Sequence, residues 1–287
     1  MAIYRAAAKV NLCLHVLSRQ ADGYHQLCML MQRIGLFDLI EVELTAGAGV
    51  ELECAGVVLP PGGCNLAERA ARLLLDQLID PPGVRIVLHK RIPVAAGLGG
   101  GSSDAATVLL ALRQQLNVPL AQEQLMALGL RLGADVPFFL QGQPAWALGI
   151  GERLQPLRRL PDCWYVLLNP GVALSTAQVY GQVRHYSTAP RQRLYFTRTA
   201  ELAGLLHNDL QLPAQGLAPA IEQAATALHA AGAEAVLLSG SGATLFALCD
   251  SEVAARQLAA RLVLAPGWWL AVAEGLVDVP ALLPAPA

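Results

Sequence analysis

The chain has 287 residues and a mass of 30.3 kDa, room for about two domains at roughly 100–200 residues each. Hydrophobic residues make up 54% and charged residues 15%, with a mean hydropathy of +0.43, which excludes a disordered chain. A net charge of −2 without a long basic run lacks the electrostatic footprint of a nucleic-acid-binding protein.

High hydrophobicity raises the question of a membrane span, which needs about 18 or more consecutive apolar residues. The longest uncharged stretches, 163–183 and 136–151, are interrupted by Asn169-Pro170-Gly171 and by Pro137, Gln141, Gly142, Gln143 and Pro144. The N-terminal segment carries Asn11 and His15 where a signal peptide would be apolar. A soluble, cytoplasmic protein is expected. The six cysteines, Cys13, Cys28, Cys54, Cys64, Cys163 and Cys249, show no C-x-x-C spacing and are expected to be reduced and mostly buried. Only Lys9 and Lys90 are lysines, against eighteen arginines, so these two positions call for a compact point charge or are compositional survivors.

In chain order, Val10, Leu12, Leu14 and Val16 alternate with Lys9, Asn11, Cys13 and His15, the pattern of a strand with Lys9 and Asn11 on one face. A turn follows at Ala21-Asp22-Gly23, and Ile40, Val42 and Leu44 mark a half-exposed strand. Asn65 is placed to cap a helix running to about Leu78, and residues 84–89 form a strand that ends at Lys90-Arg91. The glycine-rich segment Gly97-Leu98-Gly99-Gly100-Gly101-Ser102-Ser103 precedes a helix over 105–116, with Ser102 or Ser103 as its cap. A further helix spans about 121–132 and stops at Gly133, with Asp135 just beyond. After Gly151 the pattern restarts: strand 164–168, helix 175–184, helix 217–231, strand 235–238, strand 243–249, helix 252–262 and strand 268–273. Without the helix at 175–184, that order is the β-α-β-β-α-β split motif. A domain boundary is expected near 150–160.

Glycines at 97 and 99–101, followed by serines and a helix start, suit the capture of an anion: free N–H groups and the helix dipole both favour a phosphate. No lysine follows the glycines as a Walker A loop requires, and Ser102 replaces the third glycine of a dinucleotide fingerprint.

This segment with Asp104-Ala105-Ala106 resembles the phosphate loop of the GHMP kinases. Ala8-Lys9-Val10-Asn11-Leu12 and Leu238-Ser239-Gly240-Ser241-Gly242-Ala243-Thr244-Leu245-Phe246 resemble that superfamily's two terminal motifs. Asp22-Gly23-Tyr24-His25, Gly133-Ala134-Asp135-Val136-Pro137-Phe138-Phe139 and Asn208-Asp209-Leu210 are similar to the branch that phosphorylates a cytidine-diphosphate-linked methylerythritol. Ala7-Ala8 and Cys28-Met29 depart from that branch's usual Ala-Pro and Glu-Thr, away from any catalytic position.

The resemblance implies an α+β, two-domain GHMP kinase fold. A ribosomal protein S5 domain 2-like N-terminal domain would cover residues 1–155 and a ferredoxin-like C-terminal domain residues 156–287. It implies ATP with Mg²⁺, whose ligands the sequence leaves unknown, and a monomer or homodimer without membrane or nucleic-acid partners. Asp135 would be the general base and Lys9 its electrostatic partner. A turn-forming aspartate and an edge-strand lysine are the plain alternatives. Gly97 to Ser103, including Leu98, would hold the ATP phosphates. Lys90 would lie by the nucleotide or be a strand-end surface charge, and Asn65 would touch adenine or only cap its helix. Asp104 is read as a first-turn carboxylate with a capping role. Tyr24 would stack on cytosine, His25 would hydrogen-bond it, and Tyr180 would close the opposite side or be a core tyrosine. Asn11 and Thr176 would bind substrate, and Gly240, Ser241 and Gly242 would close the site or form an ordinary turn.

Overall fold

The structure, a computed structural model, describes residues 2–55 and 65–286, so the expectation for Cys64 lies outside the described residues. In chain order the first sheet and its helices are β1 (Ala2–Arg19), β2 (His25–Thr45), β3 (Val50–Ala55), α1 (Leu66–Leu75), β4 (Gly83–His89), α2 (Gly100–Gln115), α3 (Gln122–Leu132), α4 (Val136–Gln141), β5 (Ala145–Gly149) and β6 (Arg153–Pro156). Then come β7 (Trp164–Asn169), α5 (Thr176–Gly181), α6 (Thr199–Ala203), β8 (His207–Asn208), α7 (Gln211–Leu217), α8 (Ala220–Ala230), β9 (Val236–Leu238), β10 (Leu245–Cys249), α9 (Glu252–Ala260), β11 (Trp269–Glu274) and β12 (Leu283–Pro284).

The first sheet runs β12-β1-β2-β4-β3, with β5 on β2, β6 on β5 and β8 on β1. The second runs β11-β7-β10-β9, all antiparallel, with α8 and α9 as its crossovers. That strand order is the ferredoxin-like arrangement expected from the split motif. Along β7, Tyr165 and Leu167 face the first sheet's Val10, Leu12 and Trp146, while Val166 and Leu168 face the core shared with α8 and α9. Period-two alternation thus lets one four-stranded sheet cover the first sheet and carry its own helices.

The long β1 does not keep one face. Register shifts fall between Ala7 and Ala8 and between Asn11 and Cys13. Tyr4, Ala6, Leu14 and Val16 join the helix-side core, whereas Ala8, Val10, Leu12 and Cys13 pack toward the second sheet. The single face expected for Val10, Leu12, Leu14 and Val16 is therefore corrected: a bulge adds one residue and flips every side chain beyond it. Lys9 and Asn11 still share a face, because both precede the shift.

Other boundaries move for identifiable reasons. α2 begins at Gly100, not Ala105, because Gly99 takes φ 70° and caps it, leaving Ser102 and Ser103 inside the first turn rather than at the cap. α1 stops at Leu75, and tighter bonds from Gln77 to Leu74 and from Leu78 to Leu75 finish it as a turn. The helix expected over 217–231 is α8, which starts only at Ala220 because Ala218 is extended before Pro219, and α7 ahead of it was not expected. The 175–184 helix shortens to α5, and α4 was not expected.

The strand β6 still belongs to the first sheet and β7 opens the second. The later chain nevertheless returns twice. β8 lies parallel to β1, and β12 pairs with its start. Buried Arg33 fastens the returning tail by donating to the carbonyls of Val279 at 2.6 Å and Pro280 at 3.0 Å.

Candidate active site

A cavity of about 1150 Å³ opens where β1, the glycine loop, α5 and the turn after β9 meet. Lys9 Nζ, nearly buried, donates to Asn11 Oδ1 at 2.6 Å and stands 3.5 Å from Asp135 Oδ2. The strand alternation supplies the first pair, and the α3–α4 corner supplies the carboxylate. Asp135 is at the N-cap position of α4 but makes no side-chain cap bond, so its oxygens are left for the cavity. Its side chain is 30% exposed, against 5% for Lys9. An ammonium fixed beside a reachable carboxylate can polarise a hydroxyl placed between them.

The glycine loop is seated from both sides. Lys9 N donates to Leu98 O at 2.9 Å, and Ser239 Oγ donates to Gly97 O at 3.0 Å. A Cβ at Gly97 would lie 2.1 Å from Ser239 O, and one at Gly99 would lie 3.0 Å from both Lys9 Cγ and Phe139 Cζ. Glycine is required here by close backbone approach as well as by φ values of 77° and 70°. Past Gly99 the first N–H groups of α2 have no helical acceptor, and Gly100, Gly101 and Ser102 line the cavity with them. Leu98 and Ser103 are buried beneath the loop and do not line it.

Lys90 lines the cavity, but its ammonium is committed to Asp38 and, at 2.8 Å, to Asp104 Oδ2. Asp38 also accepts from the backbone N–H of Arg91 at 2.5 Å and Ile92 at 2.9 Å. This corrects two expectations: Lys90 is no surface charge, and Asp104 caps no helix. Asp38 was not anticipated. A charge inside the apolar run Phe37-Asp38-Leu39-Ile40 was the only available signal, and its partners are more than fifty residues away. Together the three side chains tie β2, the end of β4 and the second turn of α2. Burial pushes the Asp104 carboxyl up to about 7 even though Lys90 pulls it down, with the Asp38 charge adding to the rise.

Since the unfolded value is about 3.9, the folded state binds the extra proton between roughly pH 4 and pH 7, and stability falls as pH rises through that window. Asp104→Asn, which mimics the protonated form, is expected to melt within about 1 kcal/mol of the parent at pH 7 and to flatten that slope. Thermal melts from pH 4 to pH 8 check it, and an unchanged slope would contradict the assignment.

At the other end of the cavity, Asp22 Oδ1 accepts from Tyr24 N at 3.0 Å and fixes the turn. Tyr24 is 60% exposed, and His25 stacks on Tyr180 with centroids 5.0 Å apart and planes 29° apart. The structure thus sets His25, not Tyr24, directly against Tyr180. Burial, followed by the charge of Arg19, lowers the His25 pKa, so a neutral ring with one donor and one acceptor faces the cavity at pH 7. Burial and then the Asp135 charge raise the Tyr180 pKa, which keeps that ring neutral. Thr176 Oγ1 and Ser241 Oγ lie 3.0 Å apart across the mouth, and Gly240 and Gly242 line it beside them. Asn65 caps its helix, Oδ1 accepting from Ala67 N at 2.8 Å, and the residue also lines the cavity. Arg19 and Arg184 also line this end and were not anticipated. Arg184 lies beyond the end of α5, so helical periodicity from Tyr180 does not place it.

Residues 65–143 match the GHMP kinases N terminal domain and residues 196–265 the GHMP kinases C terminal domain. A 4-diphosphocytidyl-2-C-methyl-D-erythritol kinase of Syntrophotalea carbinolica is 46% identical over 97% of this chain and 100% of its own length. The enzyme of the same name from Geobacter sulfurreducens is 46% identical over 93% of this chain and 96% of its own. A solved 4-(cytidine 5'-diphospho)-2C-methyl-D-erythritol kinase superposes with TM-score 0.76 at 38% identity, covering 95% of this chain and 99% of that one. A homoserine kinase from Cytophaga hutchinsonii shares the fold alone: its TM-score is 0.67 at 18% identity, covering 99% of this chain and 97% of that one.

Proposed function

The chain belongs to the GHMP kinases, and to the 4-diphosphocytidyl-2-C-methyl-D-erythritol kinases among them, and from that premise we propose that it transfers the γ-phosphate of ATP to the 2-hydroxyl of 4-diphosphocytidyl-2-C-methyl-D-erythritol. This is a step of the non-mevalonate route to isoprenoid precursors, carried out in the cytoplasm. The observation that carries the chemistry is the Lys9–Asp135 pair, 3.5 Å apart, within one cavity with the glycine loop.

Asp135 takes the proton of the 2-hydroxyl as its oxygen attacks the γ-phosphorus in line, and Lys9 steadies the charge on both oxygens. The N–H groups of Gly100, Gly101 and Ser102 receive the phosphates at the start of α2, with Lys90 and Asn65 at the nucleotide side. Asn11, Thr176 and the Gly240–Gly242 turn orient the substrate. Ser102 Oγ fits a place in the Mg²⁺ shell, because this ion keeps waters and phosphate oxygens as most of its ligands. Mg²⁺ supplies charge neutralisation across the phosphates.

The cytidine half discriminates this reading from homoserine or mevalonate phosphorylation. Tyr24, His25 and Tyr180 offer stacking faces and a neutral hydrogen-bonding ring, which a substrate without a base would leave unused. ADP release is expected with the cytidyl substrate and not with homoserine or mevalonate, and the reverse pattern would refute the proposal. Tyr24→Ala is expected to weaken binding of the cytidyl substrate by about 1–3 kcal/mol, read as a raised KM with kcat and the KM for ATP retained. No helix among the described residues is long and apolar enough to cross a membrane.

A further inference from the structure

On the far edge of β1, outside the cavity lining, His15, His207 and Asp209 bring one donor atom each to within 4.8 Å of one another. The two imidazoles stack with centroids 4.3 Å apart and planes 12° apart. His207 Nε2 and Asp209 Oδ1 share a proton across 2.6 Å. His15 Nδ1 is buried and has no hydrogen-bond partner. The carboxylate is held in place: Asp209 Oδ2 accepts from Val16 N at 2.7 Å, and Oδ1 accepts from Ser187 Oγ at 2.8 Å.

We infer that His15, His207 and Asp209 form a binding site for a divalent transition-metal ion of the zinc class. Two imidazoles and one carboxylate are the donor set that suits such ions, with water completing the shell. The ion would replace the proton between His207 and Asp209 and give the orphaned ring of His15 a partner. Small side-chain rotations that draw the three donors together complete the shell.

The site would work as a staple. β8 pairs with β1 through His207 and Asn208, opposite Cys13 and Leu14, and just beyond them Asp209 N donates to Leu14 O at 3.0 Å. Asn208 Nδ2 donates to Leu238 O and Gly240 O, both at 2.8 Å, and so shapes the turn that closes the active site. A metal bridging β1 to His207 would hold that strand, and through Asn208 the Gly240 turn, against the catalytic strand.

The test uses full-length, tag-free protein stripped with a chelator. Titration with Co²⁺ should give a saturable visible d–d absorption at one equivalent. Zn²⁺ at 100-fold excess over its Kd should raise Tm by about 5 °C. His207→Ala should abolish both signals, whereas His185→Ala, which removes an exposed histidine outside the three-residue cluster, should keep both. Absence of both signals in the parent protein, or their survival in His207→Ala, would overturn the site.

Discussion

Asp135→Asn is expected to lower turnover by about 10²–10⁴-fold while the fold and the KM for ATP stay near those of the parent. The substitution is nearly isosteric. Asp135 makes no cap bond at α4, and Lys9 keeps its 2.6 Å bond to Asn11, so neither the helix nor the ammonium loses its only partner. What is lost is the ability to accept a proton, because an amide oxygen is a far weaker base than a carboxylate. The effect should therefore fall on kcat and kcat/KM together, the signature of an interaction made in the transition state. Single-turnover ADP formation and a thermal melt on the same preparation separate the two possibilities. Near-parental turnover in a folded protein would remove Asp135 from the role of base.

How much of this was legible in the sequence depends on the range of the interaction. Lys9 and Asn11 share a face because strand alternation is local, and the bond between them follows. The glycine loop was recognisable because close approach and positive φ demand a residue without a side chain. The second sheet's order followed from the split motif. Three things were hidden. The bulge between Asn11 and Cys13 leaves no residue signature, yet it decides which core receives Leu14 and Val16. The Asp38–Lys90–Asp104 cluster joins residues that only the folded sheet brings together, so Asp104 read as a local cap. The stacking of His25 on Tyr180 depends on how α5 meets the Asp22-Gly23 turn, a long-range matter. Local chemistry was readable, whereas partners chosen by topology were not.

Lys9→Arg, nominally conservative, is expected to reduce kcat by about 10²–10³-fold, the range seen when one preorganised donor to a developing anion is lost. The stem of Lys9 runs against the glycine loop: a Cβ on Gly99 would already lie 3.0 Å from its Cγ and 3.1 Å from its Cε. Its Nζ is also close to the turn from the second sheet, where a Cβ on Gly240 would stand 3.5 Å away. A planar guanidinium is wider than an ammonium and spreads its charge over a fork, so it cannot enter this slot and keep both the Asn11 bond and the Asp135 approach. Forcing it in would displace the loop that receives the phosphates, raising the KM for ATP as well. Lys9→Met separates the two effects: it fills the slot without charge, so the KM for ATP should hold while kcat falls. Combined with Asp135→Asn, Lys9→Met should add little further loss in kcat, because the ammonium and the carboxylate act on one proton as a unit. Full additivity would show instead that Lys9 serves the phosphates and not the base.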